Sequence, residues 1–286
     1  MPTIGIGNKP IDNGSYLFTP DEKQAFLARE PAAEPYFRPW IGSKEFLQGI
    51  ERWCLWLGDC PPHELRTMPL CMQRVAEVRA FRLASKSTPT QRLADTPQRF
   101  HVENMPDDPF LVVPKVSSER RAYIPIGFVS PPVLASDLVF LVPHATPYHF
   151  GMLSSAMHMA WMRQVCGRLE SRYRYSANLV YNNYPWPQEV SDKQRERVEK
   201  AAQGVLDARA QFPDATLADL YDPIAMPAVL RKAHATLDRA VDACYRRQPF
   251  TSERQRLEYL FALYETLLAP LTPAKKPRRT RRARTT

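Results

Sequence analysis

Residues 181–187 read "YNNYPWP", and the chain changes character across them. Before them lie short runs rich in β-branched and aromatic residues: "FLVVPKV" (110–116), "RAYIPIGF" (121–128) and "VLASDLVFLV" (133–142). Pro114 and Pro125 inside these runs predict edge strands or bulges. After the heptad come three amphipathic helical patterns, "SDKQRERVEKAAQGVLDARAQF" (191–212), "AVLRKAHATLDRAVDACYR" (228–246) and "TSERQRLEYLFALYETLL" (251–268). Ser191 with Gln194, and Ser252 with Gln255, stand at capping-box spacing. Pro185 and Pro187 end the run "ANLVY", which reads as extended, and aim the chain into the helix at Ser191. The heptad is therefore a junction whose aromatics pack two units together. The fold class that follows is α+β: a mixed α/β unit with a small antiparallel or mixed sheet, then a C-terminal helical bundle.

Outward from the junction, "LSSAMHMAWMRQVCGRLESRYR" (153–174) reads as one long helix, with Ser154 or Ser155 as cap and a basic face at Arg163, Arg168, Arg172 and Arg174. "MPLCMQRVAEVRAFRLAS" (68–85) reads as an amphipathic helix whose polar side carries Arg74, Arg79 and Arg82. The basic stretch "SKSTPTQR" (85–92) reads as a loop. "TPDEKQAFLARE" (19–30) predicts a short helix capped by Thr19, with Pro20 at its first position and Asp21 and Glu22 in its first turn. "SKEFLQGIE" predicts another helix and "RWCLWL" a strand. The expected organisation is a lead-in over 1–40 from something preceding it, a mixed α/β unit over 41–187, a helical unit over 188–270 and a disordered basic tail over 271–286.

The chain has 286 residues, with 28 prolines against only 10 glycines, so fixed turns and interrupted elements are expected. Its formal charge is +9. Of 39 basic residues, seven stand in "AKKPRRTRRART", at Lys275, Lys276, Arg278, Arg279, Arg281, Arg282 and Arg284; removing them leaves 32 against 30 acidic residues, a nearly neutral body. Such a tail supplies sequence-independent attraction to phosphate. Five scattered cysteines without a signal peptide point to a reducing cytosol and a cytoplasmic location, and no apolar run is long enough for a membrane span. Cys54, Cys60, His63 and Cys71 lack the short knuckle spacing of a zinc ribbon, so buried thiols are the better reading.

The heptad shares residue types with the Asn-Pro-Pro-aromatic turn that holds a flipped base for methyl transfer. Its order differs: Trp186 separates the two prolines, and Asn183 is not followed by proline. "GIGNK" is not a strand-to-helix donor loop, and "SPPV" (130–133) ends in a valine that cannot stack. Neither a GxSxG elbow nor a P-loop occurs, and "PDDPFLVVPK" lacks nuclease spacing. The chain alone is expected not to be catalytic, with no metal site and no cofactor of its own.

Six long stretches carry a resemblance: "GSKEFLQGIERWCLWL", "RAFRLASKSTPTQRLADTP", "SSERRAYIPIGFVSP", "YHFGMLSSAMHMAWMRQVCGRLESRYRYS", "LVYNNYPWP" and "ADLYDPIAMPAVLRKAHATLDRAVD". In this order, from about Gly7 to Leu268, they resemble the C-terminal part of MmeI-like type IIL restriction–modification DNA methyltransferases. That family joins a nuclease region, a helical connector, an adenine-N6 methyltransferase domain, a target recognition domain and a C-terminal helical region. The resemblance covers the last two and the exit from the methyltransferase domain. It implies duplex DNA as partner, S-adenosylmethionine as cofactor of the full-length enzyme, and a methyltransferase or nuclease portion encoded upstream. Met1 then reads as the start of a fragment, a split subunit or a misplaced gene start.

Candidate DNA contacts are Ser154, Ala156 and His158 as base readers at a helix start, and Arg163, Arg172 and Arg174 as phosphate contacts. Arg82, Lys86, the turn at Ser117, Arg120 and Arg121, and the junction residues Asn182 and Asn183 complete the set. The leading reading is a sequence-specific recognition module. The alternatives are one subunit of a split methyltransferase, and an inert or protein-binding remnant.

Overall fold

The computed structural model describes residues 1–269; the expected basic tail lies outside them. The chain opens with β1 (Gly5–Ile6), β2 (Leu17–Phe18), α1 (Pro20–Arg29), β3 (Phe37–Ile41), α2 (Ser43–Gln48) and β4 (Trp53–Leu55). Three helices follow, α3 (Pro62–Leu65), α4 (Pro69–Leu83) and α5 (Thr88–Arg92). Then come β5 (Phe110–Pro114), β6 (Val116–Ser117), β7 (Gly127–Val129), β8 (Leu134–Ala135) and β9 (Val139–Val142). After α6 (Pro147–Leu153) and α7 (Ala156–Val165), β10 (Gly167–Leu169) and β11 (Arg172–Arg174) form a hairpin. The last helices are α8 (Asp192–Ala210), α9 (Leu217–Leu220), α10 (Ala228–Tyr245) and α11 (Glu253–Leu268). The fold is α+β, with small sheets and a C-terminal helical array.

Local chemistry explains several boundaries. Thr19 accepts from the Glu22 amide, and the Glu22 carboxylate accepts from the Thr19 amide at 2.7 Å, closing a capping box on α1. Ser191 and Gln194 do the same for α8, and Ser252 caps α11.

One sheet has the order β1-β9-β5-β7, with every pairing antiparallel. Both of its faces are covered. Leu111 and Val113 point into the core shared with the helices, while Phe110 and Val112 pack on Ala135, Val139 and Leu141. A second sheet, β2-β4-β3-β8, underlies its own core with Tyr16, Phe18, Trp56, Cys54, Cys60 and Cys71. Residues 1–40, expected as a lead-in, thus provide strands to both sheets.

The largest core runs across the junction. It joins Leu111, Phe150 and Trp161 to Val198, Leu237 and Leu260 of the C-terminal helices. Gly151 lets α6 approach α8 and α10: a Cβ there would lie 2.8 Å from Val198 and 3.1 Å from Leu237. The heptad seals this seam. The Tyr245 hydroxyl donates to the Tyr184 hydroxyl at 2.9 Å and approaches the Pro185 carbonyl at 3.2 Å. Trp186 packs edge-on to Tyr184. The Tyr181 hydroxyl donates to the Pro2 carbonyl at 2.8 Å, so the first residues lie beside the junction.

Four sequence expectations are corrected. The helix from 153 stops at Val165; Cys166 turns extended, and Gly167–Arg174 is the hairpin. Tyr173 is buried while its neighbours are exposed, a two-residue period that a helix cannot provide. "ANLVY" is not extended but a single wide turn, in which the Asn182 amide donates to the Ala177 carbonyl at 2.8 Å. "SKSTPTQR" contains the short helix α5. The strand β5 is central rather than at an edge; Pro114 is tolerated because it is the strand's last residue, and Pro125 falls outside any strand.

Candidate nucleic-acid interface

The hairpin β10–β11 stands out from the body of the molecule. Arg168, Leu169, Arg172 and Arg174 are exposed, and only Tyr173 is buried on its inner face. The Arg168 guanidinium stacks 4.1 Å over the Tyr173 ring. At the tip, Glu170 adopts a positive φ of 56° and accepts from Arg172 at 2.8 Å. The base of the hairpin is fixed by β6, through Tyr173 opposite Ser117 and Arg174 opposite Val116. Beyond β6 the segment "SSERR" folds into a tight turn, with the Arg121 amide donating to the Ser118 carbonyl and the Arg120 amide to the Ser118 hydroxyl.

Two clefts flank this turn, and Arg121 lines both. The smaller, about 300 Å³, lies between the hairpin base and α2 and is bordered by Lys44, Ser117, Arg121 and Arg172. The larger, about 570 Å³, is bordered by Arg120, Arg121 and Arg163 on one side and by Asp222 and Arg231 on the other. Asp222 there is held below the usual carboxylate range by the Ile224 and Ala225 amides that donate to it. Burial depresses the basicity of Arg121, which Asp222 partly restores.

Of the sequence candidates, the structure brings together Ser117, Arg120, Arg121, Arg163 and Arg172, with Arg174 one step along the hairpin. Arg163 is committed within the protein, pairing with Glu253 and donating to the Ala122 carbonyl at 3.0 Å. Lys86, Asn182 and Asn183 line neither cleft; Lys86 and Asn182 are exposed and Asn183 is half-buried.

Four candidates are corrected. Arg82 is fully buried and spends its guanidinium on backbone carbonyls. Ser154 and His158 are buried, at 1% and 0% exposure. The start of α7 faces the C-terminal helices rather than a groove: Ser155 caps it, and the Ala156 amide donates to the Asp238 carboxylate at 2.7 Å. The cause is an α7 that is apolar on nearly every side, with Met157, Met159, Ala160, Trp161 and Met162 all buried.

Burial also sets the chemistry of two histidines. His158 is pushed down to about 3 by burial, with its Nε2 3.0 Å from the Tyr175 hydroxyl. His234 is pushed down to about 3 by burial and then by the Arg209 charge, with its Nε2 2.7 Å from the Tyr221 hydroxyl. Both are neutral when folded and titrate near 6.5 when unfolded. Their contribution to stability is therefore complete above about pH 6.5 and is lost as pH falls toward 3. Between pH 7 and pH 5 these two histidines are expected to contribute a loss of about 3–4 kcal/mol and an uptake of about two protons on unfolding. His149, pushed down to about 4 chiefly by burial, adds to both in the same direction. Urea unfolding at the two pH values measures it; equal stabilities contradict the assignment.

Sequence reading missed Lys44 and Arg231, and left Arg168, seen on a basic helix face, out of the candidate contacts. Its place on the hairpin was hidden inside a pattern read as helix. Lys44 and Arg231 meet the turn only through tertiary packing, and no local signal marks either.

With this geometry in place, comparison with known proteins is decisive. Residues 1–188 match the family described as MmeI, target recognition domain, and residues 190–272 match MmeI, C-terminal domain. The chain belongs to the MmeI family. A curated relative, DNA methyltransferase A of Bacillus subtilis (strain 168), is 39% identical over 267 residues, covering 93% of this chain and 30% of its own length. The solved structure of the type IIL restriction-modification enzyme MmeI in complex with DNA matches with a TM-score of 0.92 at 46% identity, covering 94% of this chain and 36% of that one. The chain thus spans about a third of the length of these relatives. In MmeI family terms, the hairpin, the turn and the smaller cleft belong almost wholly to the target recognition domain. Asp222 and Arg231, on the far wall of the larger cleft, come from the MmeI C-terminal domain.

Proposed function

We propose that this chain is a sequence-specific duplex DNA recognition module of a site-specific adenine-N6 methyltransferase or restriction–modification enzyme. The observation that carries the reading is the continuous cationic tract from the Arg172 and Arg174 hairpin across Arg121 to Arg120. A two-stranded ribbon fits the major groove, where arginine reads guanine O6 and N7; the flanking cations hold backbone phosphates and set register. The family match and the DNA-bound relative support it.

This reading assigns S-adenosylmethionine to the full-length enzyme and not to the described residues. Their sheets are short and mostly antiparallel, with a single parallel strand pair and no glycine-rich turn leading from a strand into a helix. On this reading the donor and the catalytic turn belong to a methyltransferase portion encoded upstream. Among the described residues no helix is long and apolar enough to cross a membrane.

A filter-binding salt series on duplexes of varied sequence tests the module. Sequence preference should survive as salt rises; binding that vanishes at moderate salt for every sequence alike would reduce the protein to tail attraction. A second reading is a subunit of a split enzyme whose partner supplies the donor site. Co-expression with an upstream product, followed by mapping of methylated adenines, separates the two.

A further inference from the structure

The smaller cleft has features that the recognition reading does not itself require. Ser117 is 4% exposed, and its hydroxyl has no hydrogen-bond partner among the described residues. A buried hydroxyl left unpaired costs roughly 1–3 kcal/mol unless something outside the protein completes it. Beside it stands the Arg121 guanidinium, half-buried and likewise without a hydrogen-bond partner among the described residues. Lys44, exposed on α2, has no carboxylate partner among the described residues, and Arg172, paired with Glu170, closes the hairpin side. No acidic residue lines this cleft, in contrast to the larger one, where Glu119 and Asp222 do. Its volume, about 300 Å³, admits a phosphate group. Three cations, of which only Arg172 has a carboxylate partner in the surface pair with Glu170, and an unpaired hydroxyl donor describe a site for a tetrahedral oxyanion.

We propose that this cleft seats one phosphodiester of the duplex. Arg121 and Lys44 neutralise the phosphate, and the Ser117 hydroxyl donates to one of its oxygens. The inference rests on the recognition reading; it adds Lys44 and gives Ser117, already a candidate contact, a defined role, both fixing how the hairpin enters the groove. Phosphate contacts of this kind set register without reading sequence.

The test uses the full chain and a duplex it prefers, titrated across a salt series. Lys44→Gln should weaken binding roughly eightfold at 0.1 M salt, equally for every sequence, and lower the salt slope by about 0.9. Ser117→Ala should weaken binding several-fold with no change in slope. It should also leave the melting temperature equal or higher, because it removes an unsatisfied buried group. A merely structural serine would show the opposite, lower stability with unchanged affinity. Arg197→Gln removes an exposed charge from the distant α8 face and should change neither reading.

If both cleft variants bind with wild-type affinity and slope, the inference is overturned while the recognition reading stands. If inorganic phosphate at constant ionic strength protects the wild type but not the variants, and duplex binding is equal in all, the cleft serves free phosphate and the inference fails. If the wild type binds no duplex, the recognition reading falls and takes this inference with it.

Discussion

Replacing Arg82 by alanine is expected to destabilise the protein by about 3–5 kcal/mol. All five N–H donors of this side chain are used. Nε donates to the Ile11 carbonyl at 3.0 Å, Nη1 to Leu93 at 2.7 Å and Thr96 at 3.1 Å, and Nη2 to Pro10 at 2.7 Å and Arg99 at 2.8 Å. One guanidinium thus ties α4 to the segment before β2 and to the irregular chain after α5. Alanine leaves five carbonyls in a space that water reaches poorly, plus a cavity. Lysine restores the charge but presents three donors from a single point, so Arg82→Lys should recover less than half of the loss. Urea denaturation of the two variants measures both; a loss below about 1 kcal/mol for alanine would mean the network is not needed.

The second large effect concerns binding. Arg172→Gln combined with Arg174→Gln should reduce duplex affinity roughly 60-fold at 0.1 M salt and lower the salt slope by about 1.8, if both side chains meet phosphates. An arginine that reads guanine shows itself differently: discrimination at one base position falls by about 1–3 kcal/mol while the slope changes less. Stability should move by less than about 1 kcal/mol, because both residues are exposed and the Glu170 pair is a surface one. Unchanged affinity in the double variant would remove the hairpin from the interface.

Legibility from sequence followed the range of the interactions concerned. Capping boxes at Thr19 and Ser191 and the apolar β5 are local patterns, and the structure has them where the residues predict. The hairpin was hidden because Val165, Cys166 and Leu169 continue the helical spacing of Met159 and Met162, although Leu169 is exposed and only Tyr173 of the ribbon is buried. Arg82 looked like one of three arginines on a polar helix face; that the last of them turns inward depends on carbonyls donated by distant segments. His158 and Ser154 looked accessible because a helix start was assumed to face outward, whereas α7 is enclosed all round. The cationic tract was partly legible: Ser117, Arg120, Arg121 and Arg172 were named. Lys44 was not, because its place beside them is a product of the fold.

The core that spans the junction bears on how the protein can be made. The core that holds Leu111 and Val113 of β5 also holds residues as late as Leu237 and Leu260. A nascent chain leaving the ribosome therefore carries an incomplete apolar core until α10 and α11 have emerged. Synthesis stalled at the junction would yield a sticky half-structure rather than a free-standing module, prone to chaperone capture or aggregation. Any graft that moves the hairpin to another host should carry the last three long helices with it.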